Sequence, residues 1–143
     1  MSLEGRYDDQ NIFAKIIRGD APAVKLFEDA DILAIMDVFP QAPGHVLVIP
    51  KEPARNLLEL SPEAAAKAIA TVQTIAAAVR KALEPDGIFI AQFNGAPAGQ
   101  TVFHIHFHII PRREGVEIAG HGKAQMADMA ELEQIAGKIR AAL

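Results

Sequence analysis

The chain is 143 residues long with 50% hydrophobic and 22% charged residues, a balance that closes one core and excludes a disordered polymer. Its 14 Lys+Arg and 18 Asp+Glu leave a formal charge of −4, too acidic for a protein whose main task is gripping nucleic acid, because that grip needs a basic footprint. Cysteine is absent, which excludes disulfides, thiolate zinc sites and cysteine nucleophiles.

No apolar run approaches the ~18 residues that span a bilayer. The polar start, MSLEGRYDDQ, lacks the basic and apolar regions of a signal peptide, so a cytoplasmic location with no membrane partner is expected. Residues 1–10 read as a tail in which Met1-Ser2-Leu3 has no structural part. Ile12, Phe13, Ile16 and Ile17 then fall at helical spacing, with Gly19 as the stop. Val24–Glu28 and Ile32–Asp37 read as strands, with Asp29-Ala30-Asp31 as a hairpin loop. The turn-rich Pro40-Gln41-Ala42-Pro43-Gly44 leads into a third strand, His45–Pro50.

Ser61 and Pro62 supply an N-cap and a first turn. Ala65, Ile69, Val72, Ile75/Ala76, Val79 and Leu83 mark one face of the long helix that follows, and Pro85 closes it. Ile88–Phe93 is a fourth strand, apolar on both faces as in a buried sheet position. Gly95–Gly99 join it to a fifth, Thr101–Pro111. Met126, Met129, Leu132, Ile135/Ala136, Ile139 and Leu143 trace a closing amphipathic helix. Most strand connections are too short for a parallel crossover. The class is therefore α+β, a five-stranded mainly antiparallel sheet with one long helix, a short N-terminal helix and a C-terminal helix.

Three of five histidines alternate in the fifth strand, His104-Ile105-His106-Phe107-His108. Alternation puts the imidazoles on one face, neighbours roughly 6.5–7 Å apart, and sends Phe103, Ile105, Phe107 and Ile109 toward the core. Histidines at i and i+2 can also chelate zinc or iron, so a metal-binding strand stays open at this point. The loop before it, Asn94-Gly95-Ala96-Pro97-Ala98-Gly99-Gln100-Thr101, offers glycine backbone N–H groups, two amides and a hydroxyl to an anion such as phosphate. His121, between two glycines, reads as a solvated bystander, and Arg112-Arg113 as a solvated strand end.

The string Gly99-Gln100-Thr101-Val102-Phe103-His104-Ile105-His106-Phe107-His108-Ile109-Ile110 resembles the motif of the histidine triad (HIT) family, His-φ-His-φ-His-φ-φ with φ hydrophobic. Asn11–Pro22, Glu28-Asp29, Leu33–Asp37 and Pro40–Lys51 are similar to the N-terminal half of its Hint branch. The resemblance spans roughly residues 11–112. It implies a homodimeric nucleotide hydrolase or transferase that works on the α-phosphate of purine nucleotides without a cofactor. His106 is implied as the nucleophile, His108 as a holder of phosphate oxygens, and His104 and His45 as the supporting network. Asn94 matches a phosphate-side amide, Thr101 a hydroxyl residue near the leaving group, and Asp37 the ribose acceptor, with Gln100 among the loop's nucleotide-binding donors. Ile12, Phe13, Ile16, Ile35, Met36 and Val38 match the base pocket, although plain core packing explains these apolar residues equally well.

The match has gaps. Many bacterial relatives hold a structural zinc with Cys-x-x-Cys where this chain has Asn11 and Ala14, so no metal is expected in that form. Thr101 and Ile110-Pro111-Arg112 resemble the fragile-histidine-triad branch, which cleaves dinucleoside polyphosphates, whereas Asn94 and the N-terminal half resemble the Hint branch, which acts on nucleoside phosphoramidates. The expected organisation is a tail (1–10), a HIT domain (11–114) and a C-terminal extension with a helix (115–143). A phosphoramidase is the main reading. A dinucleoside polyphosphate hydrolase and a metal-binding or non-catalytic nucleotide-binding protein are the alternatives.

Overall fold

A computed structural model describes residues 2–117 and 125–143; His121 lies outside them. In chain order the elements are α1 (Ile12–Ile17), β1 (Lys25–Glu28), β2 (Ile32–Met36), β3 (Val46–Pro50), α2 (Pro62–Leu83), β4 (Gly87–Ala91), a 3-10 turn (Ala96–Ala98), β5 (Phe107–Arg112) and α3 (Met129–Ala141). The sheet runs β1-β2-β3-β5-β4, and every neighbouring pair is antiparallel. The expected class and strand count hold.

Strand alternation divides the apolar residues between two faces. Ile32, Ala34 and Met36 of β2, Val46 and Val48 of β3, and Phe107 and Ile109 of β5 pack with Val72, Ile75 and Val79 of α2 and with Leu132, Ala136 and Ile139 of α3. Leu33, Ile35, Leu47 and Ile49 face the other way, onto Phe13 and Ile16 of α1. The closing helix thus packs on its own subunit. Its cap is Asp128, whose side chain accepts from the Ala130 N–H, so Met126 lies before the helix and is exposed. In α2 the buried stripe passes through Ala68 rather than Ile69, which is 54% exposed. Arg113 is an exposed strand end, as expected, and its guanidinium also donates to the carbonyls of Leu83 and Glu84, where α2 ends, the favourable end for a cation.

Other expectations change. Among the described residues β4 is an edge strand paired with β5, and Phe89 and Ile90 are each 42% exposed. Residues 101–106 do not join the fifth strand. Ile105 N–H donates to the Ala54 carbonyl instead, because the third strand ends at Pro50 and Pro53 has no N–H to extend the ladder. The first residues are also tied down: the carbonyls of Ser2 and Leu3 accept from Arg55 and Asn56. Among the described residues, no helix is long and apolar enough to cross a membrane.

Candidate active site

The histidines gather on the α1 face. His108, opposite Leu47 of β3 and Ala91 of β4, is fixed by two ladders. His106 and His104 sit on the irregular segment leading into β5, and both rings meet Phe13 of α1 edge-on, at centroid distances of 4.8 and 6.4 Å. Close before β3, Gly44 takes φ +93°, and a Cβ there would run into Leu83 Cδ1. That backbone conformation favours glycine, and the turn delivers His45 fully buried against His108. The rings of His106 and His108 are 5.1 Å apart, and those of His45 and His108 5.2 Å.

Partners of fixed character reveal where each proton sits. His106 Nδ1 lies 2.6 Å from the His104 carbonyl. A carbonyl only accepts, so Nδ1 carries the proton and Nε2 keeps its lone pair. His104 Nε2 donates to the Pro50 carbonyl at 2.7 Å, which leaves Nδ1 to accept from the Tyr7 hydroxyl at 2.5 Å. His45 Nδ1 accepts from the Gln41 N–H at 3.0 Å. Its Nε2 must then be the protonated nitrogen, and it faces His108 Nδ1 at 2.9 Å and Asp37 Oδ2 at 3.4 Å. His108 Nδ1 therefore accepts, and His108 Nε2 carries a proton. Two adjacent rings thus present complementary atoms, a lone pair on His106 and an N–H on His108.

Electrostatics agree with neutral imidazoles in the support. Burial pushes His104 below the usual histidine range, opposed by its bond to Pro50. Burial also raises the Tyr7 phenol, so both members of that pair stay uncharged near neutrality.

The loop before the triad departs from expectation. Its N–H groups are turned inward: Gly95 N–H donates to Gln100 Oε1, Ala98 and Gln100 N–H to the Gly95 carbonyl, and Gly99 N–H to the Ala96 carbonyl. Gln100 is buried, and its amide donates to the carbonyls of Arg55 and Val102; it closes the loop. Asn94 exchanges hydrogen bonds with the Gln92 amide and accepts from the Leu57 N–H. One residue earlier, the half-buried Phe93 sets its ring 5.4 Å from that of His108. Thr101 is exposed.

Among the expected base-pocket residues, Met36 and Val38 turn into the α2–α3 core instead. Ile16 and Ile35 are buried against β3, and Ile12 is 46% exposed beside Phe13. Phe103 lies outside the core, under the Arg55 guanidinium at 4.9 Å. Asp37 is 7% exposed. Its Oδ1 accepts from Phe39 N–H at 2.8 Å, a turn-forming bond, while Oδ2 faces His45. Sequence patterns give no signal for Tyr7, Gln41 or Phe93, whose parts are set by tertiary contact.

Metal binding fits poorly. Asp37, His45 and His108 each bring a ligand atom within 4.8 Å of the others, but the proton on His45 Nε2 occupies the lone pair a cation would need. His104 has both nitrogens hydrogen-bonded and His106 has Nδ1 engaged, so the triad is not a chelate. Asn11 is spent capping α1, its Oδ1 accepting from the Ala14 N–H, and Ala14 has no ligand atom. A zinc held at these positions does not fit.

Fold and site together define a cluster of buried histidines on one face of an antiparallel sheet, with the rings of His106 and His108 side by side. The HIT domain family matches residues 18–115. Adenosine 5′-monophosphoramidase hnt1 of Schizosaccharomyces pombe is 48% identical over 101 residues, 71% of this chain and 73% of that protein. Adenylylsulfatase HINT3 of Arabidopsis thaliana is 45% identical over 103 residues, 72% of this chain and 52% of that protein. The crystal structure of a Hit-like protein involved in cell-cycle regulation from Bartonella henselae superposes with a TM-score of 0.92 at 52% identity, covering 97% of this chain and all of that one. The chain belongs to the HIT family, whose members include hydrolases of nucleotide derivatives by name.

Proposed function

We propose that this protein is a nucleotide hydrolase that attacks the α-phosphate of purine nucleotides through His106 and that nucleoside 5′-phosphoramidates are its main substrates. The observation that carries the reading is the 5.1 Å pairing of His106, with its Nε2 lone pair, and His108, with its Nε2–H. In the first step the lone pair forms an N–P bond while the P–X bond breaks and its electron pair leaves with X. Water then attacks phosphorus and gives up a proton to solvent, the N–P bond breaks, and its electron pair returns to His106. Splitting the displacement in two lowers each barrier, and the His108 N–H stabilises charge growing on a phosphoryl oxygen. Ile12 and Phe13 would flank the base, Asp37 would reach the ribose, and Thr101 and Phe93 would border the leaving group.

A second copy of the chain is part of the proposal. The open edge of β4, with Phe89 and Ile90 exposed, is the kind of unprotected apolar strand that pairs with its like. The names of hnt1 and HINT3 support phosphoramidates and adenylyl sulfate as the first substrates to try. The test is steady-state hydrolysis of adenosine 5′-phosphoramidate, adenylyl sulfate and a diadenosine polyphosphate by wild type and His106→Asn. Turnover of the phosphoramidate, lost in the variant with nucleotide affinity kept within a few fold, is expected. Preference for the polyphosphate would replace the substrate assignment, and full activity in the variant would remove the nucleophile.

A further inference from the structure

Residues 2–7 form neither helix nor strand, yet they are held against the segment that leads into the triad, and one side chain does most of the holding. Arg55 Nη1 donates to the Arg6 carbonyl and Nη2 to the Ser2 carbonyl, each at 3.2 Å. The neighbouring Asn56, fully buried, donates from its amide to the Leu3 carbonyl at 3.1 Å. Gly5 lies against the same guanidinium: at φ +142°, a Cβ there would sit 3.4 Å from Arg55 Nη1. At the end of the segment the Tyr7 hydroxyl meets His104 Nδ1 at 2.5 Å.

Arg55 is tied to the approach to the triad as well. Its carbonyl accepts from the Gln100 amide at 2.7 Å, and the carbonyl of Ala54 accepts from the Ile105 N–H at 2.9 Å. Its guanidinium lies over the Phe103 ring at 4.9 Å. A planar fork suits this place, because its face stacks on a ring while two terminal nitrogens reach two carbonyls; the point charge of a lysine does neither. Arg55 Nε is buried without a hydrogen-bond partner, so the grip on the segment comes from Nη1 and Nη2. Ordering a chain terminus costs backbone entropy that the single bond from Tyr7 does not repay. The clamp supplies the rest.

We propose that Arg55 is a positioning residue of the active site: by clamping residues 2–7 it brings the Tyr7 hydroxyl to His104, whose carbonyl meets His106 Nδ1 at 2.6 Å. The catalytic half of this inference rests on the hydrolase reading, and the clamp itself does not. Loss of the clamp lowers kcat and spares KM, because the segment meets the support of the nucleophile rather than the nucleotide.

The chain has one tyrosine, Tyr7, and no tryptophan, so its tyrosine fluorescence reports this segment alone. Acrylamide quenching of wild type and of Arg55→Met, which keeps an unbranched apolar stem and deletes the donors, measures the clamp. Quenching several-fold more efficient in the variant is expected. Equal quenching would show that the segment docks without Arg55 and would overturn the proposal. For catalysis, hydrolysis of adenosine 5′-phosphoramidate by wild type, Arg55→Met, Tyr7→Phe and the double variant forms a cycle. Arg55→Met should lose kcat several-fold with KM little changed, and the double variant should match Tyr7→Phe. Losses that multiply would mean that Arg55 acts by another route and would remove the positioning role. Should Arg55→Met fail to fold, Gly5→Val strains the segment while leaving Arg55 intact; it is expected to give the same quenching and the same dependence on Tyr7, and wild-type values in both would refute the clamp. A wild-type protein that turns over no nucleotide derivative would refute the hydrolase reading and the catalytic half with it, while the quenching still decides the clamp.

Discussion

Tyr7→Phe deletes one oxygen and leaves the ring that packs edge-on against His104 at 5.7 Å. The lost atom is the donor to His104 Nδ1, on an imidazole that is 1% exposed. The variant carries a buried acceptor without its donor, at a cost of about 1–3 kcal/mol. For a chain of this length, about 3 °C of Tm per kcal/mol turns that cost into a fall of about 3–9 °C. Thermal and urea unfolding of the two proteins side by side measure it. The effect should reach catalysis too, because the His104 carbonyl orients His106; kcat should fall with little change in KM. A variant as stable as wild type would refute the claim that Tyr7 completes the support of the triad.

Other consequences can be checked separately. Burial holds the folded His104 below the value of about 6.5 that it has in the unfolded chain. Between those values the unfolded state binds more protons, so stability is complete above about pH 6.5 and declines as pH falls through the window; a urea midpoint at pH 5.5 equal to that at pH 7.5 would contradict this. Asn94→Ala should cost about 1 kcal/mol of stability by freeing the Leu57 N–H and leave nucleotide affinity within twofold, which titration calorimetry measures; a tenfold affinity loss would return Asn94 to the phosphate. Phe89→Glu should convert a dimer into a monomer in sedimentation velocity, and an unchanged dimer would move the interface off β4.

Much of this architecture is readable in the chain because its signals are local. The apolar runs Ile32–Asp37 and His45–Pro50 form β2 and β3 within one residue of the expected bounds, and the Ser61-Pro62 start and Pro85 stop bracket α2 within two residues. The histidine alternation identifies the centre. What escapes is decided by distant contacts. Tyr7 meets His104 across 97 residues, and the Gln41 donor is a backbone group, identical in every residue but proline. Phe93 reaches the His108 ring only through the fold, 15 residues away in sequence. The early end of the fifth strand has a similar origin. Nothing within 101–106 forbids a strand; Pro50 and Pro53 on the facing segment do.

The central claim is that His106 Nε2 becomes covalently bonded to phosphorus. Rapid-quench mass spectrometry of the intact protein with adenosine 5′-phosphoramidate, followed by peptide mapping, tests it most directly. An adenylyl adduct on His106 that forms and decays as fast as turnover, and is absent from His106→Asn, is the expected result. Turnover with no adduct, or an adduct on His104 or His108, would contradict the account.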